Sequence, residues 1–153
     1  MTFKDILSAV KIPVKPYKIG DKIFHVRALT GIEEQDAISL SEKWAKERAK
    51  TLGTNQELTS IKYSETVKNK EGKEISIENP LKREQIAIYM RLLAMMSLCD
   101  VNGKPVSEDP KELKDATIGE NKLPEKYIRE ILALRDEISA EQAVVNKEDE
   151  EKN

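Results

Sequence analysis

Between Ile86 and Cys99 the only strongly polar side chains are Arg91 and Ser97. A helix that is apolar on nearly all sides must be buried on nearly all sides, so this run requires the rest of the chain to cover it. It opens at Asn79-Pro80, an N-cap residue followed by proline at the first helical position. It is not a membrane span, because Lys82, Arg83 and Glu84 lead in, Arg91 sits midway, and no stretch approaches ~18 unbroken apolar residues. The pattern predicts the central helix of a small domain. One flank, carrying Met90, Met95 and Met96, is a candidate contact surface for another protein, since flexible thioethers adapt to irregular partners.

The remaining elements follow from capping and periodicity. Thr2 and Asp5 have capping-box spacing for a short helix to about Val10, and Pro13 and Pro16 then force an extended path. Gly20-Asp21 between Tyr17–Ile19 and Lys22–Ala28 predicts a hairpin, with Phe24, Val26 and Ala28 on the packed face and Ile23, His25 and Arg27 on the half-wet one. Thr30-Gly31-Ile32-Glu33 opens a helix running to about Leu52 and stopping at Gly53. Ala37, Ile38, Leu40, Trp44, Ala45 and Ala49 share its apolar half, with the Arg48 stem at the core edge. Asn69-Lys70-Glu71-Gly72-Lys73 centres a loop or second hairpin over 54–79. Asp100-Val101-Asn102-Gly103 turns the chain, Asp109-Pro110 caps a short helix through Leu113, and Leu123-Pro124 opens the last long one. That helix should bend or restart at the capping box Ser139-Ala140-Glu141-Gln142 and fray beyond Val145.

At 153 residues the chain has one domain's length, and Leu, Ile, Val and Phe supply about a quarter of it, enough for a modest core. The expected fold is mainly α within the α+β class. A single helical domain spans 1–138, with 54–79 as an inserted loop or hairpin, and 139–153 forms a short helix and an acidic flexible tail. One cysteine excludes an internal disulfide framework, and one cysteine with one histidine argues against a metal cluster. A net charge of −2 argues against broad capture of nucleic acid. The charge is uneven: residues 1–53 carry ten basic and seven acidic side chains, residues 137–153 two basic and six acidic. Pro13 and Pro16 break any apolar run near the start, so a secretory leader is not expected and a cytoplasmic location is.

Residues with chemistry to offer are few. His25 belongs to a strand, Cys99 ends an apolar helix, and no glycine-rich phosphate loop occurs. Asp100-Val101-Asn102-Gly103 echoes the start of a calcium loop but lacks its later oxygen ligands and closing glutamate. Glu33 and Glu34 suit a helix first turn rather than a two-carboxylate site. The basic residues of 43–50 alternate with acids, as on a solvated helix face. The expectation is therefore a binding or assembly protein, not an enzyme, without metal or cofactor.

Three segments resemble the tail assembly chaperone family of long-tailed bacteriophages and prophages. Val26-Arg27-Ala28-Leu29-Thr30-Gly31-Ile32-Glu33 is similar to that family's V-R-x-L-T-G-x-E passage from strand to helix. Leu98-Cys99-Asp100-Val101-Asn102-Gly103-Lys104-Pro105-Val106 resembles its sLxDxxGkpv turn after the central helix, and the acidic end closing in Lys152-Asn153 resembles its terminus. With the order of elements, the resemblance covers 22–136 plus the terminus, and 54–79 departs from it by lengthening the segment between the main helices. It implies a non-catalytic helper of virion assembly that binds the long helical tape measure protein and keeps it soluble while tail tube protein polymerises around it. Such a protein works in the host cytoplasm, is absent from the mature virion and touches neither membrane nor nucleic acid; self-association is compatible with the role. A longer frameshifted product is a family habit. Client contact is expected on the flank of the 81–99 helix and the apolar face around Trp44, with Trp44, Met90, Met95 and Met96 as partner-binding candidates. The alternatives are a structural head–tail connector or tail-completion subunit, which would remain in the particle, and a small regulatory or antitoxin-like protein that binds through its acidic tail.

Overall fold

The computed structural model describes residues 1–9, 12–51, 64–78 and 80–152. In chain order the elements are α1 (Phe3–Ala9), β1 (Val14–Ile19), β2 (Lys22–Arg27), α2 (Gly31–Thr51), β3 (Ser64–Lys68), β4 (Glu74–Glu78), α3 (Pro80–Ser97), β5 (Leu98–Cys99), α4 (Pro110–Ile118) and α5 (Glu125–Lys152). Among the described residues the strands form a three-stranded antiparallel sheet, ordered β1-β2-β5, and a two-stranded ribbon, β3-β4. This is the mainly helical α+β fold with an N-terminal hairpin that the sequence predicts, and a second hairpin does stand between the main helices. Two compact units divide the chain: Met1–Thr30 with Leu93–Asn153, and Gly31–Leu92.

In the first unit, Thr2 and Asp5 cap α1 reciprocally. The Asp5 amide donates to Thr2 Oγ1 at 3.2 Å, and the Thr2 amide donates to Asp5 Oδ2 at 2.9 Å. The Thr2 amide, and then the Thr2 hydroxyl, which also donates to Asp5 Oδ2 at 2.9 Å, hold the Asp5 carboxyl below its ordinary range. Beyond Pro13 the chain pairs β1 with β2 through the Gly20-Asp21 turn, in a register that sets Ile19 against Lys22 and Tyr17 against Phe24. β5 then adds to the other side of β2, with His25 facing Cys99 and Val26 facing Leu98. The half-wet face expected of this strand holds at its first two residues and fails at the third. Ile23 is exposed and His25 half-buried, but Arg27 is buried beside the fully buried Val26.

The turn after β5 follows from one side chain and one glycine. Asp100 Oδ1 accepts from the amides of Asn102 (2.8 Å) and Lys104 (3.0 Å), while the Gly103 amide donates to the Asp100 carbonyl at 3.0 Å. Gly103 has φ +82° and is buried, and an added Cβ would lie 2.9 Å from Ile12 Cβ. The Val106 amide closes back onto the Leu98 carbonyl at 3.1 Å. In the second unit, Asn69 repeats this pattern between β3 and β4: its Oδ1 accepts from the amides of Glu71 and Lys73, both at 3.0 Å.

α4 is longer than the sequence suggests. Asp109 caps it, accepting from the Lys111 amide at 3.0 Å, but the helix passes Leu113 and ends at Ile118. Leu113 and Thr117, one turn apart, are both buried, so the second turn adds burial that a stop at Leu113 would forgo. α5 buries Ile128, Ile131 and Ile138 and is fastened to β1 by polar bonds. The Tyr17 hydroxyl donates to Glu130, and Lys15 Nζ reaches Glu137 Oε2 at 3.2 Å and Glu141 Oε1 at 2.7 Å. The predicted restart at Ser139 and the fraying beyond Val145 do not occur: a single helix runs from Glu125 to Lys152. A capping box starts a new helix only where the preceding backbone leaves helical geometry, and Ala, Glu, Gln and Lys favour continuation.

In the second unit, α2 buries Ala37, Ser41, Trp44, Ala45 and Ala49, a stripe dominated by small residues at four-residue spacing. That spacing admits α3 closely: Gln85 Nε2 donates to Ser41 Oγ at 3.1 Å, and the Ser41 hydroxyl donates to the Ile38 carbonyl at 2.8 Å. Arg48 holds Glu84 of α3 at 2.6 Å, its guanidinium carried beyond the core edge. The predicted helix stop at Gly53 and the N-cap at Asn79 lie outside the described residues.

Candidate functional site

The four candidate contact residues separate by burial. Trp44 is 4% exposed and Met95 8%, so both are core side chains, whereas Met96 is half-buried and Met90 is 40% exposed. α3 therefore presents a real flank, though a narrower one than its composition suggests. Gln85, Ile88, Leu92 and Met95 repeat at three- to four-residue spacing on the buried side. Ile86, Ala87 and Met90 lie on the exposed side, with Ile86 one turn before Met90. Ile86 escapes sequence reasoning because its polar neighbour Gln85 is buried against Ser41, so polarity there misreports the phase of the helix.

The polar face of α2 borders a shallow cavity of ≈ 380 Å³, lined by Ser39, Glu42, Lys43, Lys46, Glu47 and Lys50. Three lysines and two glutamates are interspersed along it. A single excess positive charge on an open face makes a weak field for an anion, and no acid there is desolvated for proton transfer.

Cys99 is 1% exposed, and burial pushes its thiol up to about 11, with Arg27 opposing the shift and Asp100 adding to it. A thiol held protonated is a packing group rather than a nucleophile. His25 faces Cys99 across the sheet and Pro16 on the other side. Asp100 spends Oδ1 on two backbone amides, Lys104 first and then Asn102, which together with the charges of Lys104 and His25 hold its carboxyl below the ordinary range. The 100–103 segment is thus a hydrogen-bonded turn. Among the described residues no group of three or more His, Cys, Asp or Glu side chains is placed to hold a metal ion. No described helix is long and apolar enough to cross a membrane.

Other exposed apolar side chains include Phe3 and Ile6 on α1, Ile23 on β2, Ile32 on α2, Val101 and Val106 around the turn after β5, and Val144 and Val145 near the end of α5. No family model, curated protein or solved structure matches the chain.

Proposed function

We propose that this chain is a non-catalytic tail assembly chaperone, which binds a long helical tape measure protein and keeps it soluble while tail tube subunits assemble. The observation that carries the reading is the meeting of its two resemblance-bearing segments. Val26, in the strand that leads to Thr30-Gly31-Ile32-Glu33, pairs with Leu98, whose carbonyl also accepts from Val106 at the far end of the Asp100–Gly103 turn. Two short patterns far apart in sequence form one hydrogen-bonded node, as parts of a single inherited design would.

The exposed Ile86–Met90 flank of α3 supports the reading as a contact for a client helix. A helical client would lay its apolar stripe there, and apolar area withdrawn from water would drive the contact. Any ligand that binds the dispersed client but not its aggregate shifts the balance by mass action, by about 2.7 kcal/mol at a hundredfold excess over Kd. The charged surroundings would keep the complex in solution.

Particle composition tests the proposal. The chain should be found with assembling tail intermediates and be missing from purified mature particles. Stoichiometric amounts in mature particles would instead make it a structural subunit and overturn the chaperone role.

A further inference from the structure

The buried stripe of α5 does not end where the body of the first unit ends. Ile131 and Ile138 are 0% and 1% exposed, and Val145, seven residues further on the same face, is 54% exposed beside an equally bare Val144. Beyond Ile138 every described side chain is exposed, over a helix that continues to Lys152, roughly 20 Å further at ~1.5 Å per residue. The arm leaves in a fixed direction, because Lys15 grips Glu137 and Glu141 at its base. Residues 139–153 carry five acidic and two basic side chains.

The same unit holds a surface of opposite character. α1 exposes Phe3 and Ile6, three residues apart on one face. Residues 1–18 carry four lysines (Lys4, Lys11, Lys15 and Lys18) against a single acid, Asp5. An apolar pair in an acidic setting and an apolar pair in a basic setting thus sit on one chain, each without cover. Within one molecule both pairs stay exposed, so neither covers the other. We infer that the acidic end of α5, through Val144 and Val145, docks on α1 of a second copy through Phe3 and Ile6.

The contact is small. A seven-residue helix against two turns of an arm falls below the ~1,000 Å² that stable specific interfaces exceed, so the association is transient and salt-sensitive. This inference does not rest on the chaperone reading.

Sedimentation equilibrium of the full chain, from about 10 µM to about 1 mM, tests it. The average mass should rise with concentration at low salt and fall back in ~0.5 M salt, where the Debye length shrinks to about 4 Å. Val145→Asp and Phe3→Asp should each weaken association by at least about tenfold, with circular dichroism unchanged because both side chains are exposed. Charge reversal gives the sharper outcome. Glu148→Lys/Glu151→Lys and Lys4→Glu/Lys11→Glu should each lower self-association, and mixing the two variants should restore it. A chain that stays monomeric throughout would overturn the proposal and leave the arm to a different protein. Association that survives Val145→Asp and Phe3→Asp would overturn it equally.

Discussion

Replacing Gly103 by alanine separates two costs that a glycine can conceal. The residue sits at φ +82°, where an L side chain pays about 1–2 kcal/mol. The added Cβ would also meet Ile12, at 2.9 Å from its Cβ and 3.0 Å from its Cγ2. The nearest atom is bonded directly to backbone, so a rotamer change cannot clear it, and displacement of this kind costs about 1–3 kcal/mol more. Gly103→Ala should therefore destabilise the first unit by about 2–5 kcal/mol. Gly20 provides the control: its φ is +64°, but nothing lies within 4 Å of its virtual Cβ, so Gly20→Ala should cost only about 1–2 kcal/mol. Amide exchange in β2 and α5 is the suitable assay because it reads the first unit, whereas Trp44 fluorescence reports on the second. Ile12→Gly removes all three close atoms and should reduce the cost of Gly103→Ala in a double-mutant cycle. Equal losses for Gly20→Ala and Gly103→Ala, with no coupling to Ile12, would refute the steric argument.

Further outcomes follow from burial and titration. Met90→Glu should leave thermal stability within about 0.5 kcal/mol, whereas Met95→Glu, which buries a carboxylate, should cost more than about 4 kcal/mol in circular-dichroism melts. The Tyr17 phenol is pushed up by burial, then by its hydrogen bond to Glu130 and that residue's charge. Its folded value lies above its unfolded one, so its contribution is complete below pH ~10 and is lost as pH rises further. Tyr17→Phe should cost about 0.5–1.5 kcal/mol at neutral pH and flatten that alkaline loss in urea midpoints. The protonated, buried Cys99 thiol should react with a disulfide reagent only as fast as the first unit opens, the rate climbing with urea. Lys15→Met should speed amide exchange across 139–148 while hardly moving the melting temperature, because Lys15 holds only the base of the arm.

Local chemistry made much of the fold legible. The Thr2–Asp5 cap, the Gly20-Asp21 turn and the Asp100 turn each depend on residues within five positions of one another, and each forms as its sequence suggests. What the sequence hides is decided at long range. Leu98 and Cys99 read as the last turn of an apolar helix, yet pairing with Val26 and His25 draws them into a strand. Arg27 at the end of β2 is likewise buried, against its charge, where strand alternation alone leaves it half-wet. Capping boxes are ambiguous for a related reason: Ser139-Ala140-Glu141-Gln142 has the composition of a helix start and is equally content inside one. The candidate contact surface was legible only in part. A run of apolar neighbours shows that α3 is buried without showing its phase, which is why Met95 belongs to the core while Ile86 joins Met90 outside it, and Trp44 is buried in the apolar half of α2.

The chaperone reading meets its most direct test in co-expression with a tape measure protein encoded beside this chain. The client should remain in the soluble fraction and co-purify when this chain is present, precipitate when it is absent, and lose rescue with Met90→Glu. A client equally soluble without this chain, or one that never co-purifies with it, would contradict the account.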